Sequence, residues 1–224
     1  MNINSINTIE VSALCDNHCA YCPAPIQHEH RPVGLMSIET FKRAVFWVRY
    51  FADRKTQREL NLHGVGEPTL NTDLVDMIRL AREAAPDIII NLNTNGNRMT
   101  PALALACKEA GITSINVTAH KPESTMHAVK AIKAAGLPCH VNADFATNPN
   151  NWGGQVTWTE TVDYKLWCRW LAEGQVMITW DGKVTRCCLD AFGQGIMGDL
   201  QDDLSSIEVT PFALCEGCHH ERPE

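Results

Sequence analysis

The sequence predicts an α/β fold, in which an open, partial barrel of parallel strands is followed by a small β-hairpin module. Segments with an apolar residue at every second position alternate with segments of helical period through the first 145 residues. The connections are long enough for right-handed helical crossovers between parallel strands. After residue 146 the chain becomes rich in Asn, Gly and Thr, and five of its six tryptophans follow. We therefore expect two units, residues 1–150 and residues 151–224.

Five strands and four helices are expected in the first unit. The helix limits come from local signals, such as Thr100 as N-cap before Pro101 and a stop before Gly111. The expected strands are Thr8–Leu14, Glu59–His63, Ile88–Asn93, Thr113–Thr118 and Pro138–Phe145. The expected helices are Ser37–Ala52, Thr72–Ala85, Thr100–Ala110 and Pro122–Ala135.

Each of the five expected strands has one apolar face and one polar face. In the second strand, for example, Leu60 and Leu62 oppose Asn61 and His63. A parallel strand that is covered on both faces is normally apolar throughout. We therefore expect the polar face to line an open lumen that holds a large polar ligand, although a sheet with one solvent face would give the same alternation. The side chains expected to point inward include Asn61, Asn91, Asn116, Asn142 and Asp144.

The second unit is expected to contain a β-hairpin. Gln175–Trp180 and Lys183–Arg186 are strand-like, and the Asp181-Gly182 pair between them is a hairpin turn signal. A small unit of this kind has little core of its own, so the tryptophans are expected to pack inside it.

Composition limits the classes of function. The chain has no apolar run of membrane-spanning length and no signal-peptide pattern at its N-terminus, so a cytoplasmic protein is expected. Ten cysteines in such a chain indicate metal ligands rather than disulfides. A net charge of −7 gives no reason to expect binding to nucleic acid, although a free nucleotide substrate stays open.

Three cysteines near the N-terminus carry the strongest functional signal. Cys15, Cys19 and Cys22 have C-x3-C-x2-C spacing directly after the first expected strand. A closed structural zinc site or a simple iron–sulfur cluster takes four Cys or His ligands. A cubane cluster held by three cysteines leaves one iron open to a small molecule. Three ligands of a four-ligand zinc site would be the alternative.

Two further segments complete a known pattern. HGVGEPTL, which spans His63–Leu70, comes after the second strand-like segment, and LNTNG, which spans Leu92–Gly96, comes after the third. With the cysteine loop they resemble the signature of the radical S-adenosylmethionine (SAM) superfamily. The resemblance implies a (β/α)6-type TIM barrel and a [4Fe–4S] cluster on the three cysteines, with the open iron chelated by SAM. His63 and Val65 depart from the pattern, since glycines are usual at both positions.

The resemblance also implies the residues around the cofactor. The expected SAM-binding residues are Tyr21, Gly64, Val65, Gly66, Glu67, Asn93, Asn95, Thr118 and Asn142. Asp144 and His120 lie at inward-facing strand ends and are the candidate catalytic residues. Either could orient SAM or accept a proton, and a hydrogen bond within the lumen is the other interpretation.

A second group of cysteines lies in the last fifty or so residues. One cysteine before the hairpin, DGKVTRCCLD after its turn and a terminal C-x2-C resemble the SPASM/twitch extension of radical SAM enzymes. The resemblance implies an auxiliary [4Fe–4S] cluster, and the V-x-x-C step favours Cys187 over Cys188 as a ligand. A zinc knuckle on the same thiols is the alternative. The expected ligands are Cys168, Cys187, Cys215 and Cys218.

The resemblance implies an enzyme that cleaves SAM reductively and abstracts hydrogen from a small polar substrate. Oxidation of an alcohol or amine, with the auxiliary cluster as electron acceptor, is the expected reaction. An external donor such as flavodoxin or ferredoxin would supply electrons. Alternatives are radical isomerisation or dehydration in nucleoside or hypermodified-base biosynthesis, and peptide maturation. An iron–sulfur electron carrier or a zinc module would be the non-enzymatic alternative.

Overall fold

The computed structural model describes residues 1–143, 151–156, 166–218 and 220–221, and has a mixed α/β fold. Its first part contains the strands β1 (Ser5–Ile9), β2 (Glu59–Asn61), β3 (Ile89–Thr94), β4 (Ser114–Thr118) and β5 (Cys139–Asn142). Between them lie the helices α1 (Ile38–Asp53), α2 (Leu74–Ala84), α3 (Pro101–Ala110) and α4 (Pro122–Ala134).

The five strands are parallel neighbours in the order β5-β4-β3-β2-β1, so each helix connects two adjacent strands. The predicted cap Thr100 is confirmed, because its side chain accepts a hydrogen bond from the Leu103 amide at 3.1 Å. Ser37, the first residue of the first expected helix, caps α1 in the same way by accepting from the Thr40 amide at 3.1 Å. Eight of the ten described strands form one open sheet, which runs from β5 to a strand of the C-terminal part, and the other two form a separate pair. The open partial barrel is thus confirmed.

The C-terminal part contains β6 (Leu166–Trp167), α5 (Arg169–Ala172), β7 (Gln175–Ile178), β8 (Lys183–Thr185), β9 (Ile196–Asp199) and β10 (His220–Glu221). The predicted hairpin is present as β7 and β8, but it does not stand apart from the barrel. Strand β7 pairs in parallel with the free edge of β1, and β8 and β9 continue the same sheet in antiparallel order. Strand β7 thereby occupies the edge of β1 that would otherwise lack a partner. The unit boundary near residue 150 stays a prediction.

The first predicted strand extends too far. The structure ends β1 at Ile9, whereas Thr8–Leu14 was expected. Beyond that point the chain pairs with a different segment, since Met36 donates its amide to the Val11 carbonyl and Ala13 donates to the Gly34 carbonyl. Ser12 forms an isolated antiparallel bridge with Leu35, so this segment lies outside strand β1.

The apolar faces of the central strands build the core, as the alternation predicts. Leu60, Leu62, Ile90, Leu92 and Ile115 are fully buried under the helices. The edge strand β5 differs, because Val141 is 47% exposed and lies on the face that was expected to pack. An edge strand has only one neighbour to cover it. Phe145, which was placed on the same face, lies outside the described residues.

The opposite faces form layers of polar side chains. The layer farther from the cysteine loop, called the lower layer, contains Asn61, Asn91 and Ser114. There the Asn61 amide donates to Glu59 at 2.9 Å, and Ser114 donates to the Asn91 side chain at 2.7 Å. Buried amides are costly unless they are hydrogen-bonded, and here they bond to one another across strands. The alternation therefore predicted the polar face correctly. None of the helices in the described part of the chain is long and apolar enough to cross a membrane.

A buried ion pair joins β1 to the segments around it. The Arg31 guanidinium contacts both carboxylate oxygens of Glu10 at 2.7 and 2.9 Å, and the side chains are 9% and 0% exposed. Arg31 also donates through Nε to the carbonyl of Ala191 at 2.8 Å. A buried carboxylate without its partner would be an uncompensated charge in the core.

We predict that Arg31→Met lowers the free energy of unfolding by about 3–5 kcal/mol, because Glu10 would remain buried and unpaired. Arg49→Met is the matched control, since Arg49 and Asp53 are both 69% exposed and 3.9 Å apart. The control should cost less than about 0.5 kcal/mol. Anaerobic urea denaturation of both variants measures the difference, and equal losses would contradict the role of the pair.

Candidate active site

The three N-terminal cysteines and the carboxyl ends of the strands line one cleft with an empty volume of about 1040 Å³. Parallel α/β sheets bind their ligands at this edge. All described residues of the predicted site lie in its wall, whereas Asp144 lies outside the described residues. The predicted members of the wall are Cys15, Cys19, Cys22, Tyr21, Gly64, Val65, Gly66, Glu67, Asn93, Asn95, Thr118, His120 and Asn142.

The cysteine loop holds three half-buried, free thiols. Burial, together with the neighbouring Cys19 and Cys15, raises the pKa of the Cys22 thiol to about 12. Backbone amides face two of the sulfurs, since Asn17 N lies 3.4 Å from Cys15 and Ala24 N lies 3.5 Å from Cys22. Hydrogen bonds of this kind stabilise bound thiolates.

Two glycines let the next loop approach the end of β1. A Cβ on Gly66 would lie 2.4 Å from the carbonyl oxygen of Ser12, and a Cβ on Gly64 would lie 2.5 Å from Cγ of Glu10. Neither position has room for a larger residue. The Glu67 amide completes the contact by donating to the Leu14 carbonyl at 2.7 Å. The glycines of GVGEP therefore bring the loop backbone next to the cysteines.

The Glu67 carboxylate is buried and bonded to the protein. It accepts hydrogen bonds from the amide and hydroxyl of Thr69, from the Thr94 hydroxyl and from the Asn95 amide. Burial raises the pKa of this carboxyl, although the four donors oppose the effect. The side chain thus joins the loops after β2 and β3. Its predicted contact with SAM stays a prediction.

Asp16 joins the cysteine loop to the loop after β3. Its carboxylate accepts hydrogen bonds from Asn95 at 2.8 Å, Asn97 at 3.3 Å and Arg98 at 3.2 Å. The sequence reasoning did not single out Asp16. Its position directly after Cys15 could have suggested a residue that orients the loop.

His120, a candidate catalytic residue, lies against the cysteine loop. Its Nδ1 is 3.5 Å from the Cys19 sulfur and in close contact with the Tyr21 hydroxyl. Burial, and to a smaller degree Lys121, lowers the pKa of His120. The geometry thus places His120 beside a predicted cluster ligand. Its catalytic role stays a prediction.

His63 is a site residue that the sequence reasoning did not assign. The Asn116 amide donates to the Asn93 carbonyl oxygen at 2.8 Å, and Asn93 Nδ2 lies 3.2 Å from His63 Nε2. In this series of hydrogen bonds the Asn93 amide donates to Nε2 of His63. The neutral imidazole therefore carries its proton on Nδ1. His63 Nδ1 is buried and has no hydrogen-bond partner among the described residues. Its inward position in the expected strand Glu59–His63, read from the alternation, is the signal that could have found it.

The second cysteine group lines another cavity, of about 800 Å³. Cys168, Cys187, Cys215 and Cys218 all contribute to its wall, and Cys188 lies in the wall of both cavities. A hydrogen bond with Cys188 and then burial raise the pKa of the Cys187 thiol. Burial, and to a smaller degree the neighbouring Cys187 and Cys215, raises the pKa of the Cys168 thiol and of the Cys218 thiol. The four predicted ligands are thus brought together.

A buried carboxylate shapes the loop after Cys187. Asp190 is fully buried and accepts hydrogen bonds from the Thr185 hydroxyl and from the amides of Gln194 and Gly195 at 2.7 and 2.8 Å. These contacts turn the chain back towards β9 directly after the cysteine pair.

A family model described as the Radical SAM superfamily matches residues 9–136, which is more than half of the chain. The chain belongs to the radical SAM superfamily. This family of enzymes uses a [4Fe–4S] cluster and SAM. That the cleft with the cysteine triplet holds both stays a prediction.

The chain is 34% identical over 110 residues to a GTP 3',8-cyclase of Photorhabdus laumondii, across 49% of this chain and 32% of that protein. A GTP 3',8-cyclase of Pasteurella multocida is 32% identical over 119 residues, which is 53% of this chain and 34% of that protein. The chain therefore spans about a third of the length of these relatives.

Among solved structures, BtrN in complex with AdoMet and 2-DOIA superposes with a TM-score of 0.74 at 20% identity, over 91% of this chain and 81% of that one. At this identity the likeness establishes the fold. It extends beyond the family match into the C-terminal part.

The three thiols of the cysteine loop are a donor set of the kind that holds iron–sulfur clusters, and they line the first cavity. Within the ranges that the structure describes, no three Cys, His, Asp or Glu side chains converge as the ligands of one metal ion would. Each thiol set instead surrounds a cavity. In the first cavity the buried amide nitrogen of Asn17 also lacks a described partner, as expected of a wall that faces a polar ligand.

We predict that His63 makes the apoprotein sensitive to acid. Burial lowers its pKa from 6.5 to about 4, so the unfolded chain takes up a proton in this range while the folded chain does not. The contribution to stability is present above about pH 6.5 and is lost as the pH falls towards 4. By about pH 5 the loss should reach roughly 2 kcal/mol.

His63→Asn should remove this part of the pH dependence, while His127→Asn, at an exposed position on α4, should keep it. Urea denaturation at about pH 7 and about pH 5 measures the difference. If His63→Asn and the unmodified protein lose the same free energy of unfolding between about pH 7 and about pH 5, His63 is not a buried neutral imidazole.

Proposed function

We propose that this chain is a radical SAM oxidoreductase that oxidises an alcohol or amine of a small polar substrate, with an auxiliary iron–sulfur cluster as the electron acceptor. Cys15, Cys19 and Cys22 would hold the SAM-binding cluster. The auxiliary cluster would lie on Cys168, Cys187, Cys215 and Cys218.

One observation carries the proposal, namely that the two thiol-lined cavities share a wall. Cys188 and Leu189 line both cavities. The wall belongs to an apolar cluster that includes Val65 and Trp152, with Cys22 packed against it from the first group and Cys187 from the second. A short apolar partition supports electron transfer from a substrate in the first cavity to an acceptor in the second.

When bound, the first cluster and SAM supply a 5'-deoxyadenosyl radical that takes a hydrogen atom from a substrate C–H bond. The chain contributes position and shielding. The loop at Gly64 and Gly66 is held against the cysteine loop by close backbone contact, which would keep SAM at the open iron. Apolar residues in the wall, such as Trp152 and Leu189, would exclude water from a reactive intermediate.

The polar groups of the wall support a substrate rich in hydroxyl or amine groups. Asn93, Thr118 and Asn142 offer neutral donors and acceptors, and His63 offers a neutral imidazole N–H. Neutral groups of this kind hydrogen-bond to hydroxyls and amines without a charge partner. Oxidation also releases a proton, for which His120 and Asp144 are the proposed acceptors.

The curated relatives favour a second candidate, a radical cyclisation or isomerisation of a nucleotide. Their printed activity is that of GTP 3',8-cyclases, and the match covers the segment with the three cysteines and the GVGEP loop. Such a reaction rearranges bonds within the substrate. It would not need the auxiliary site as an electron acceptor.

A comparison of products separates the two candidates. Reconstituted protein is incubated anaerobically with deuterated 2-DOIA or deuterated GTP, and mass spectrometry follows deuterium into 5'-deoxyadenosine. With unlabelled substrate, an oxidised product lacks two hydrogen atoms, whereas a cyclised or isomerised product keeps the mass of its substrate. Deuterium transfer only from deuterated GTP, together with a product of unlabelled GTP that keeps the mass of GTP, would overturn the oxidation proposal.

The proposed partner is an external one-electron donor such as flavodoxin or ferredoxin, because reductive cleavage of SAM consumes an electron. The proposed location is the cytoplasm, where free thiols stay reduced. The ten cysteines of the chain support this location.

We predict about eight irons per chain after anaerobic reconstitution, four for each of two cubane clusters. Replacement of Cys15, Cys19 and Cys22 by Ala should halve the iron content and abolish SAM cleavage. Iron analysis and chromatography of 5'-deoxyadenosine measure both effects. Cleavage that persists in the triple variant would exclude these three cysteines as the cluster ligands, and zinc in place of iron would exclude radical chemistry.

The double variant Cys215→Ala, Cys218→Ala should behave differently. It should keep about four irons and cleave SAM with a strong reductant, because the first thiol set is intact. It should lose substrate oxidation, and its C-terminal part should be less stable without a metal. Cys107→Ala is the control, since Cys107 lies in the core away from both cavities. A folded double variant with full product formation would limit the second site to a structural role.

A further inference from the structure

We propose that Arg186 is a positioning residue of the auxiliary site, and that its guanidinium raises the reduction potential of the cluster bound there. This inference rests on the proposed function, because it requires that Cys168, Cys187, Cys215 and Cys218 hold an iron–sulfur cluster. It adds a reason why that cluster would accept an electron.

Arg186 lies beside the four thiols. It directly precedes Cys187 at the end of β8, and its side chain lines the same cavity as all four cysteines. Two contacts hold the guanidinium in place. Its Nη1 donates to the carbonyl of Gly195 at 2.9 Å, and its Cζ lies 5.6 Å from the centre of the Phe212 ring.

The guanidinium has an unused donor. Arg186 Nε is buried and has no hydrogen-bond partner among the described residues. A buried N–H without an acceptor costs free energy, and in this inference the bound cluster supplies the acceptor. Cluster sulfides and cysteine thiolates are acceptors of the required kind.

The positive charge of the Arg186 guanidinium is what would raise the reduction potential of the cluster. An all-cysteine cluster is negatively charged, and reduction adds one more negative charge. A guanidinium keeps its positive charge at any pH that the protein tolerates, so it stabilises the reduced cluster more than the oxidised one. The neighbouring carboxylate of Asp190 has the opposite sign, but three donors from the protein already solvate it.

The consequence concerns the oxidation step. After loss of a hydrogen atom, the substrate must lose one electron and one proton to form a C=O or C=N bond. A higher potential of the auxiliary cluster favours transfer of that electron across the shared wall. In this inference Arg186 acts through the cluster and does not touch the substrate.

The chain contains a matched pair of arginines for the test. Arg186 and Arg169 each adjoin a predicted ligand in the sequence, but the Arg169 side chain is 64% exposed and pairs with Glu173 at 3.3 Å. Arg186→Gln and Arg169→Gln therefore remove the same formal charge from the inside and the outside of the site. Arg186→Lys keeps the charge and removes the planar fork.

The measurement is an anaerobic redox titration of each reconstituted full-length variant, followed by electron paramagnetic resonance. In Arg186→Gln the equilibrium constant for reduction of the auxiliary cluster should fall at least tenfold, which is about 59 mV for one electron. Arg169→Gln and the N-terminal cluster of every variant should keep their potentials. The same titration in the Cys15, Cys19, Cys22→Ala background assigns the signal to the auxiliary cluster.

The outcomes separate this inference from the function on which it rests. Eight irons with an unchanged auxiliary potential in Arg186→Gln would overturn the role of Arg186 alone. Four irons in the unmodified protein would overturn the auxiliary cluster and this inference with it. If Arg186→Gln loses iron, the potential of Arg186→Lys decides. A value near that of the unmodified protein supports the charge effect. A tenfold or larger fall in the equilibrium constant for reduction, although the charge is kept, excludes it.

Discussion

The buried ion pair between Glu10 and Arg31 is the contact on which the rest of the site depends. Glu10 sits at the end of β1, where it also receives the amides of Val65 at 3.4 Å and Trp180 at 3.3 Å. Through Arg31 it reaches the carbonyl of Ala191. One carboxylate thereby connects the GVGEP loop, the hairpin and the loop after the auxiliary cysteines. The desolvation of the pair is offset because several donors converge on a single acceptor group.

This arrangement explains why the two cavities are adjacent. Strand β7 pairs with the edge of β1, so the hairpin that precedes Cys187 begins next to the strand that precedes Cys15. The apolar cluster to which the shared wall belongs then contains residues from both parts of the chain, such as Val65 and Leu189. In the proposed reaction, this proximity would allow an electron to pass from the first site to the second. A zinc ion in the second site could stabilise the fold, but it could not take part in that transfer.

The polar lumen has two kinds of side chain with different functions. In the lower layer Asn61 and Asn91 form hydrogen bonds with neighbouring side chains, and these bonds stabilise the sheet. One layer closer to the cysteines, His63 receives a hydrogen bond at one ring nitrogen and leaves the other without a described partner. The amides of the lower layer thus have partners within the protein, whereas the Nδ1–H of His63 in the upper layer still needs an acceptor. We expect the substrate or SAM to supply it.

The sequence by itself determined the element order, the apolar and polar strand faces and the two sets of cysteines, because these depend on local periodicity and on spacing along the chain. It could not determine that β7 joins β1, since pairing with a free strand edge depends on which segments the folded chain brings together. Nor could it reveal that Glu67 is satisfied by Thr69, Thr94 and Asn95. The importance of Asp16, His63 and Arg186 likewise arises from long-range contacts and burial. Hydrogen-bond partners distant in sequence exist only after folding, and for this reason the tertiary structure alone decided which polar side chains remain available to a ligand.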